Sequence, residues 1–252
     1  MIGTPSNLLT LLVTGIAFLY ASVGFGGATG YLAVMSQFGI EPNLMATTSL
    51  ILNIAVSGIA FINYARAGYL NKRLMTSFPP ASIPASFLGG FFMLDEDLYF
   101  VLLNSVLTYV MVRMLFAPKK SVDTLNGLKV PPTWLGITSG AVIGLLSGML
   151  GIGGGVILSP LIILMRWGTP KQAASTSALF ICLNSISGLL GRFLGGNLMF
   201  GGLGPWLLPS GVLGALMGSY IGARRFSGLW TQRVLGIVLL ISLIRFWILY
   251  LR

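Results

Sequence analysis

The chain has 252 residues, 55% of them hydrophobic and 8% charged, with a mean hydropathy of +0.90, which excludes an ordinary soluble domain. A formal charge of +10 would suggest nucleic acid in a soluble protein, but here Lys and Arg cluster in short loops between apolar segments, where they orient a chain in a bilayer. With no histidine and a single cysteine, Cys182, the sequence excludes Ser-His and Cys-His nucleophiles, histidine metal sites and an internal disulfide.

The amino-terminal MIGTPSNLLT lacks the Lys or Arg of a signal peptide and is expected to be retained. Apolar segments follow near 7–38, 44–63, 74–94, 98–116, 134–165, 172–192, 203–222 and 231–250, most close to the roughly 20 residues that cross about 30 Å of hydrocarbon. The longest polar loop, about 117–133, is a linker containing Pro118, Pro131 and Pro132, so function must sit in the membrane part. Two of the segments carry glycine clusters, Gly24-Phe25-Gly26-Gly27 and Gly151 with Gly153-Gly154-Gly155. A helix in hydrocarbon must satisfy every backbone group internally, so these clusters predict breaks that face protein or water. Pro79, Pro80 and Pro84 predict kinks in 74–94, as Pro205 and Pro209 do in 203–222. Small residues every four positions, at Gly136, Gly140, Gly144 and Gly148 and again at Gly214, Gly218 and Gly222, predict close helix approach.

A shift of 128 residues places Gly26-Gly27 on Gly154-Gly155, Pro42 on Pro170, and Thr47-Thr48-Ser49 on Ser175-Thr176-Ser177. With small further shifts Asn53 answers to Asn184, and Ser57-Gly58 to Ser187-Gly188. The chain is read as two membrane repeats, 1–117 and 130–252, joined by a linker at 118–129.

Charge then bears on topology. If all eight segments cross, the loop Lys and Arg divide eight against five between the two sides. If 7–38 and 134–165 are instead re-entrant hairpins with the glycine clusters at their tips, eleven fall on one side, and only Arg192 and Arg252 join Glu41 and Asp95-Glu96-Asp97 on the other. The positive-inside rule prefers the second arrangement. Asn7 to Tyr20 would give about 21 Å of helix, enough to pass the midplane. Three crossings per half is odd, so the halves would insert in opposite orientations. The predicted fold is an all-α polytopic membrane protein of two inverted repeats, each a Gly-rich re-entrant (broken) helical hairpin plus three transmembrane helices. Both termini would be extracytoplasmic and the linker cytoplasmic. A straight eight-helix bundle with glycine kinks is the alternative.

At each tip a short helix would restart near mid-membrane, offering unpaired N–H groups and a positive dipole end that suit a small oxyanion. The candidate substrate-binding residues are Gly24, Phe25, Gly26, Gly27, Thr47, Thr48, Ser49 and Asn53 in the first half, and Gly151, Gly153, Gly154, Gly155, Ser175, Thr176, Ser177 and Asn184 in the second. Any single hydroxyl can instead bond its own i−4 carbonyl or cap a helix, as Thr169 before Pro170 is expected to do; Asn53 and Asn184 are the stronger candidates. The five carboxylates, Glu41, Asp95, Glu96, Asp97 and Asp123, map to loops, so no catalytic residue or metal ligand is assigned and no enzyme is expected. Arg113, Arg192 and Arg245 lie near segment ends and are expected to snorkel, Arg192 with the further option of attracting anions at the pore mouth.

The two motifs, GFGGATG at 24–30 followed by Pro42 and Thr47-Thr48-Ser49, and GMLGIGGGVILSP at 148–160 followed by Pro170 and Ser175-Thr176-Ser177, resemble the duplicated signature of the sulfite exporter TauE/SafE family of membrane permeases. The first copy departs from the second, with Phe25 and Ala28-Thr29 where the second has Ile152 and Val156-Ile157. The resemblance implies transport of small sulfur-containing anions such as sulfite or sulfonates across the cytoplasmic membrane. The expected function is a secondary transporter working by alternating access; an anion or small-solute channel on the same scaffold, or a membrane accessory subunit, are the rivals. No cofactor is expected, and the coupling ion, proton or sodium, stays open. The expected partners are a small anionic substrate and the lipid bilayer, with a homo-oligomer left open and no nucleic acid.

Overall fold

The glycine clusters break both of the long apolar segments that contain them. The computed structural model describes residues 7–92, 94–116, 128–201 and 206–224, and beyond these positions 233, 237, 239, 240, 243 and 244. Its helices are α1 (Asn7–Ala21), α2 (Ala28–Gln37), α3 (Pro42–Arg66), α4 (Lys72–Ser77), α5 (Pro79–Phe91), α6 (Glu96–Leu115), α7 (Thr133–Leu150), α8 (Gly155–Leu164), α9 (Pro170–Leu194) and α10 (Leu207–Arg224). Most of the linker, the predicted segment 231–250 and both chain ends lie outside the described residues.

Each break has a backbone cause. Gly24 and Gly27, and then Gly151, Gly153 and Gly154, take φ between 72° and 93°, a region in which a side chain is strained. Segment 74–94 is divided rather than kinked, because Pro79 and Pro80 open a new helix at first-turn positions whose N–H would be unpaired anyway. Glu96 and Asp97 belong to the first turn of α6 rather than to a loop; Asp95 caps it by accepting from Asp97 N (3.3 Å), and all three carboxylates favour the positive helix end. The expected Thr169 cap is present as a full capping box with Gln172.

Helices α3, α7 and α9 are long and apolar enough to cross a membrane. α3 and α9 pack together and run antiparallel. Arg192 near the end of α9 donates to Asn43 Oδ1 at the start of α3 (3.4 Å), the Cys182 thiol lies 3.9 Å from Ile54 O at mid-length, and Lys171 at the start of α9 donates to Tyr69 Oη just past α3 (3.0 Å). The surrounding contacts are reciprocal: α5 packs on α7 and α9, while α10, its positional equivalent, packs on α1 and α3. Tyr20, Tyr31, Met35, Met45 and Leu52 are buried in the core. Lys129 N–H donates to Arg166 O (2.8 Å), so the chain approaching α7 lies beside the chain leaving α8. In the first half Thr29 of α2 donates to the Tyr20 hydroxyl of α1 (2.9 Å).

The small-residue faces do what their spacing predicts. Gly136, Gly140, Gly144 and Gly148 of α7 lie against the backbone of Ser77, Phe78, Ser82 and Ser86, and Gly214, Gly218 and Gly222 of α10 lie against Thr14, Phe18 and Ser22. A Cβ at any of them would collide with a carbonyl oxygen. In lipid, where apolar side chains gain little by leaving hydrocarbon for a helix interface, this close packing is a main source of association. Gly144→Ala is therefore expected to cost about 1–3 kcal/mol through overpacking. Gly15→Ala, on a stretch of α1 where a new Cβ meets nothing within 4 Å, should be neutral or stabilising. Thermal unfolding in detergent reads both.

Candidate functional site

Each glycine tip seats against the long helix of the other half. A Cβ at Gly24 would lie 2.5 Å from Cβ of Ala174 on α9, and a Cβ at Gly151 would lie 3.0 Å from Cβ of Ala46 on α3. Ala46 and Ala174 are 128 residues apart, and Gly24 and Gly151 each lie three residues before the glycine that opens the next helix, Gly27 for α2 and Gly154 for α8, so the two docking contacts are the same contact made twice. Ser49 fastens the second tip by donating to Gly151 O (2.9 Å).

Past these anchors both tips converge on Asn53. The absent side chain of Gly26 faces its Oδ1, and a Cβ at Gly153 would lie 2.7 Å from its Nδ2. Ile181 of α9, the positional equivalent of Asn53, flanks both glycines, 2.9 Å from a Cβ at Gly26 and 2.7 Å from one at Gly153. Only glycine at the tips leaves room for the amide between them.

Asn53 is fully buried, and neither end of its amide has a hydrogen-bond partner. Such a group costs about 1–3 kcal/mol and calls for an explanation. Ser185 of α9, whose Oγ lies 3.4 Å from where a Cβ on Gly153 would sit, is likewise buried with an unpartnered hydroxyl, as are Ser175, Thr176 and Ser177 on the same helix and Ser147 on α7. Helices α2 and α8 start just past the tips behind the glycines Gly27 and Gly154, with no side-chain cap, and so present their positive ends there. The locus combines unused neutral donors with two helix N-termini. That chemistry suits a small anion with several acceptor oxygens.

The remaining candidates make other contacts. Ser177 lies beside the start of α8, its carbonyl oxygen 2.9 Å from where a Cβ on Gly155 would sit. Gly154 faces Ile143 and Phe180, and Gly27 faces the Tyr31 ring. Phe25 is buried against Tyr20, ring centroids 6.3 Å apart, where it supports the tip. Thr47 Oγ1 accepts from Met199 N (3.4 Å) in the connection after α9, and Thr48 is half-buried. Asn184 is buried with Oδ1 unpartnered, while its Nδ2 donates to Phe180 O one turn back (2.8 Å).

Two neighbours of the tips, Ile181 and Ser185, escape the pattern of polar faces. A strict 128-residue shift from Asn53 lands on Ile181, and Ser185 follows one turn later, its Oγ 3.4 Å from a Cβ at Gly153. Arg192 also departs from expectation: it is 3% exposed and does not snorkel. Its Nη2 donates to Met149 O (2.7 Å) and Gly148 O (3.3 Å), because the end of α7 leaves carbonyls that need donors.

Apolar helices long enough to span, two segments broken by glycine and a buried polar residue where the breaks meet are the parts of a multi-pass membrane protein. The chain belongs to the sulfite exporter TauE/SafE family, whose profile matches residues 8–246, so the resemblance carried by the two glycine motifs extends over nearly the whole sequence. It is 36% identical to a probable membrane transporter protein of Sinorhizobium fredii, over 90% of this chain and 92% of that protein. Probable membrane transporter proteins of Methanocaldococcus jannaschii (26% identical, 73% of this chain and 72% of the relative) and Bacillus subtilis (24%, 88% and 89%) are also similar. No solved structure matches the chain.

The hydrogen bonds separate structural from functional side chains. Ser49→Ala strips the donor from Gly151 O and is expected to cost about 1–3 kcal/mol in detergent unfolding. Asn53→Leu replaces two unpaired buried polar atoms with apolar ones of similar shape. Its thermal midpoint should hold or rise while transport is lost.

Proposed function

We propose that the protein is a secondary transporter that moves small sulfur-containing oxyanions, such as sulfite or sulfonates, across the cytoplasmic membrane by alternating access. The observation that carries this reading is the unpartnered Asn53 amide held between Gly26 and Gly153 at the crossing of two antiparallel helices. An oxyanion supplies the acceptors that the amide, the nearby hydroxyls and the helix N-termini lack. The substrate class comes from the family description, and its chemistry fits a locus rich in neutral donors.

The architecture proposed for this cycle is a pair of inverted repeats, 1–117 and 130–252, flanking a cytoplasmic linker at 118–129. The antiparallel course of α3 and α9 and the reciprocal packing of α5 and α10 support it. The Lys129–Arg166 hydrogen bond supports a re-entrant α7–α8 pair that enters and leaves on one side. Rocking one half against the other would then expose a common central site to each face in turn. On this scheme both termini are extracytoplasmic.

Proteoliposomes loaded with protein should show saturable uptake of labelled sulfite that depends on a proton or sodium gradient. Non-saturating conductance would assign a channel instead, and indifference to every sulfur oxyanion would remove the anion reading. On a Cys182→Ala background, cysteines at Glu41 and Asp95 should react with an impermeant thiol reagent from outside, and cysteines at Lys72 and Lys171 from inside. Labelling of Glu41→Cys and Lys171→Cys from the same side would refute the inverted arrangement.

A further inference from the structure

Equivalent side chains in the two halves hold the ends of α1 and α7, yet only one of them is charged. In the first half the Tyr64 hydroxyl of α3 donates to Ser22 O, just past α1 (2.7 Å). In the second half the residue 128 positions later is Arg192, which donates to the carbonyls of Met149 and Gly148 at the end of α7. The structural task is the same, supplying donors to carbonyls that a helix end leaves unmatched, and Tyr64 shows that a neutral hydroxyl suffices for it.

The charge of Arg192 therefore exceeds what the cap requires. Arg192 is the buried member of the Lys and Arg set among the described residues. Its partners, Asn43 Oδ1 and the two carbonyls, are all neutral, and its buried Nε has no partner. Removing a guanidinium from water against neutral dipoles alone is costly, and a charge held inside a membrane protein marks a ligand path by default. What is missing is a formal negative charge that can accept from Nε and a terminal nitrogen together, as an oxyanion face does. Asn43, which touches Arg192, and Asn53 lie ten residues apart on α3, about 15 Å along the axis, so this position is distinct from the central locus. At the opposite mouth the position equivalent to Asn43 is Lys171. It is half-buried, and its ammonium is already engaged by Tyr69 Oη, Ala223 O and the Tyr69 ring.

We infer that Arg192 forms a second anion subsite, an entry station for the transported oxyanion at the mouth where α3 begins and α9 ends, with no buried counterpart at the other mouth. The inference rests on the proposed transport function and assigns that mouth to the outer face. Arg192→Tyr tests it, because it installs the side chain that the first half uses for the same cap and removes the charge. In oriented proteoliposomes Arg192→Tyr should raise the KM for sulfite at least tenfold from the outer face and less than twofold from the inner face, while Arg192→Lys keeps most of the outer affinity. Asn53→Leu should abolish flux from both faces. An unchanged outer KM for Arg192→Tyr, or equal losses at both faces in Arg192→Tyr and Arg192→Lys alike, would reduce Arg192 to a helix cap and overturn the subsite while leaving the transport reading intact. Should Arg192→Tyr fail to fold, protection decides: sulfite should slow labelling of Asn43→Cys even with Asn53→Leu present, and no slowing overturns the subsite. A parent protein that moves no sulfur oxyanion fails at the earlier step and takes the subsite with it.

Discussion

A helix that ends in a buried interior leaves carbonyl groups with neither water nor a further turn to pair with, and the rest of this structure is arranged around that problem. At the end of α7 the carbonyls of four successive residues are met by three other helices. Arg192 of α9 takes Gly148 and Met149, Tyr99 of α6 takes Leu150 (3.1 Å), and Ser49 of α3 takes Gly151. Breaking one helix thus fixes the positions of three others. The break at the end of α1 is met the same way, though more sparely, by Tyr64 on Ser22.

Such convergence requires helices to approach closely, and the glycine faces make that approach. With backbone against backbone, α7 and α5 on one side and α10 and α1 on the other leave no room for a Cβ. Because α5 belongs to the first half of the chain and α7 to the second, neither half closes without the other. The tips repeat this logic, Gly24 on Ala174 and Gly151 on Ala46. The same exchange brings both tips to Asn53, since each half supplies the seat for the other's tip.

Much of the plan could be read from residues whose meaning is local. Glycine clusters in apolar sequence forced the breaks, Thr169 and Gln172 announced the cap, and glycines four apart announced the close faces, because each depends on its own turn of helix. What escaped was set by partners distant in the chain. Arg192 sits near the end of its segment, and its burial comes from carbonyls more than forty residues earlier. Asn184 looked like the counterpart of Asn53 because both are amides on polar faces, yet the equivalent position is Ile181, one turn earlier. Residue type pointed to the helices that meet the tips but not to the turn of α9 that lies against them.

That register exposes a pattern of unequal residues on an equal frame: Asn53 against Ile181, Tyr64 against Arg192, Asn43 against Lys171. In the alternating-access cycle proposed above, two identical halves would make the conformations open to either face mirror events of equal energy. On that scheme, replacing one member of each pair would give the ligand different contacts in the two states, and differential contact is the only means by which a ligand shifts such an equilibrium. These substitutions cannot set the direction of net flux, which follows from the gradients across the membrane. On the same scheme they would set how tightly each face captures an anion; two of these pairs, Tyr64 with Arg192 and Asn43 with Lys171, differ by a full charge, and of the two charges that of Arg192 is the buried one.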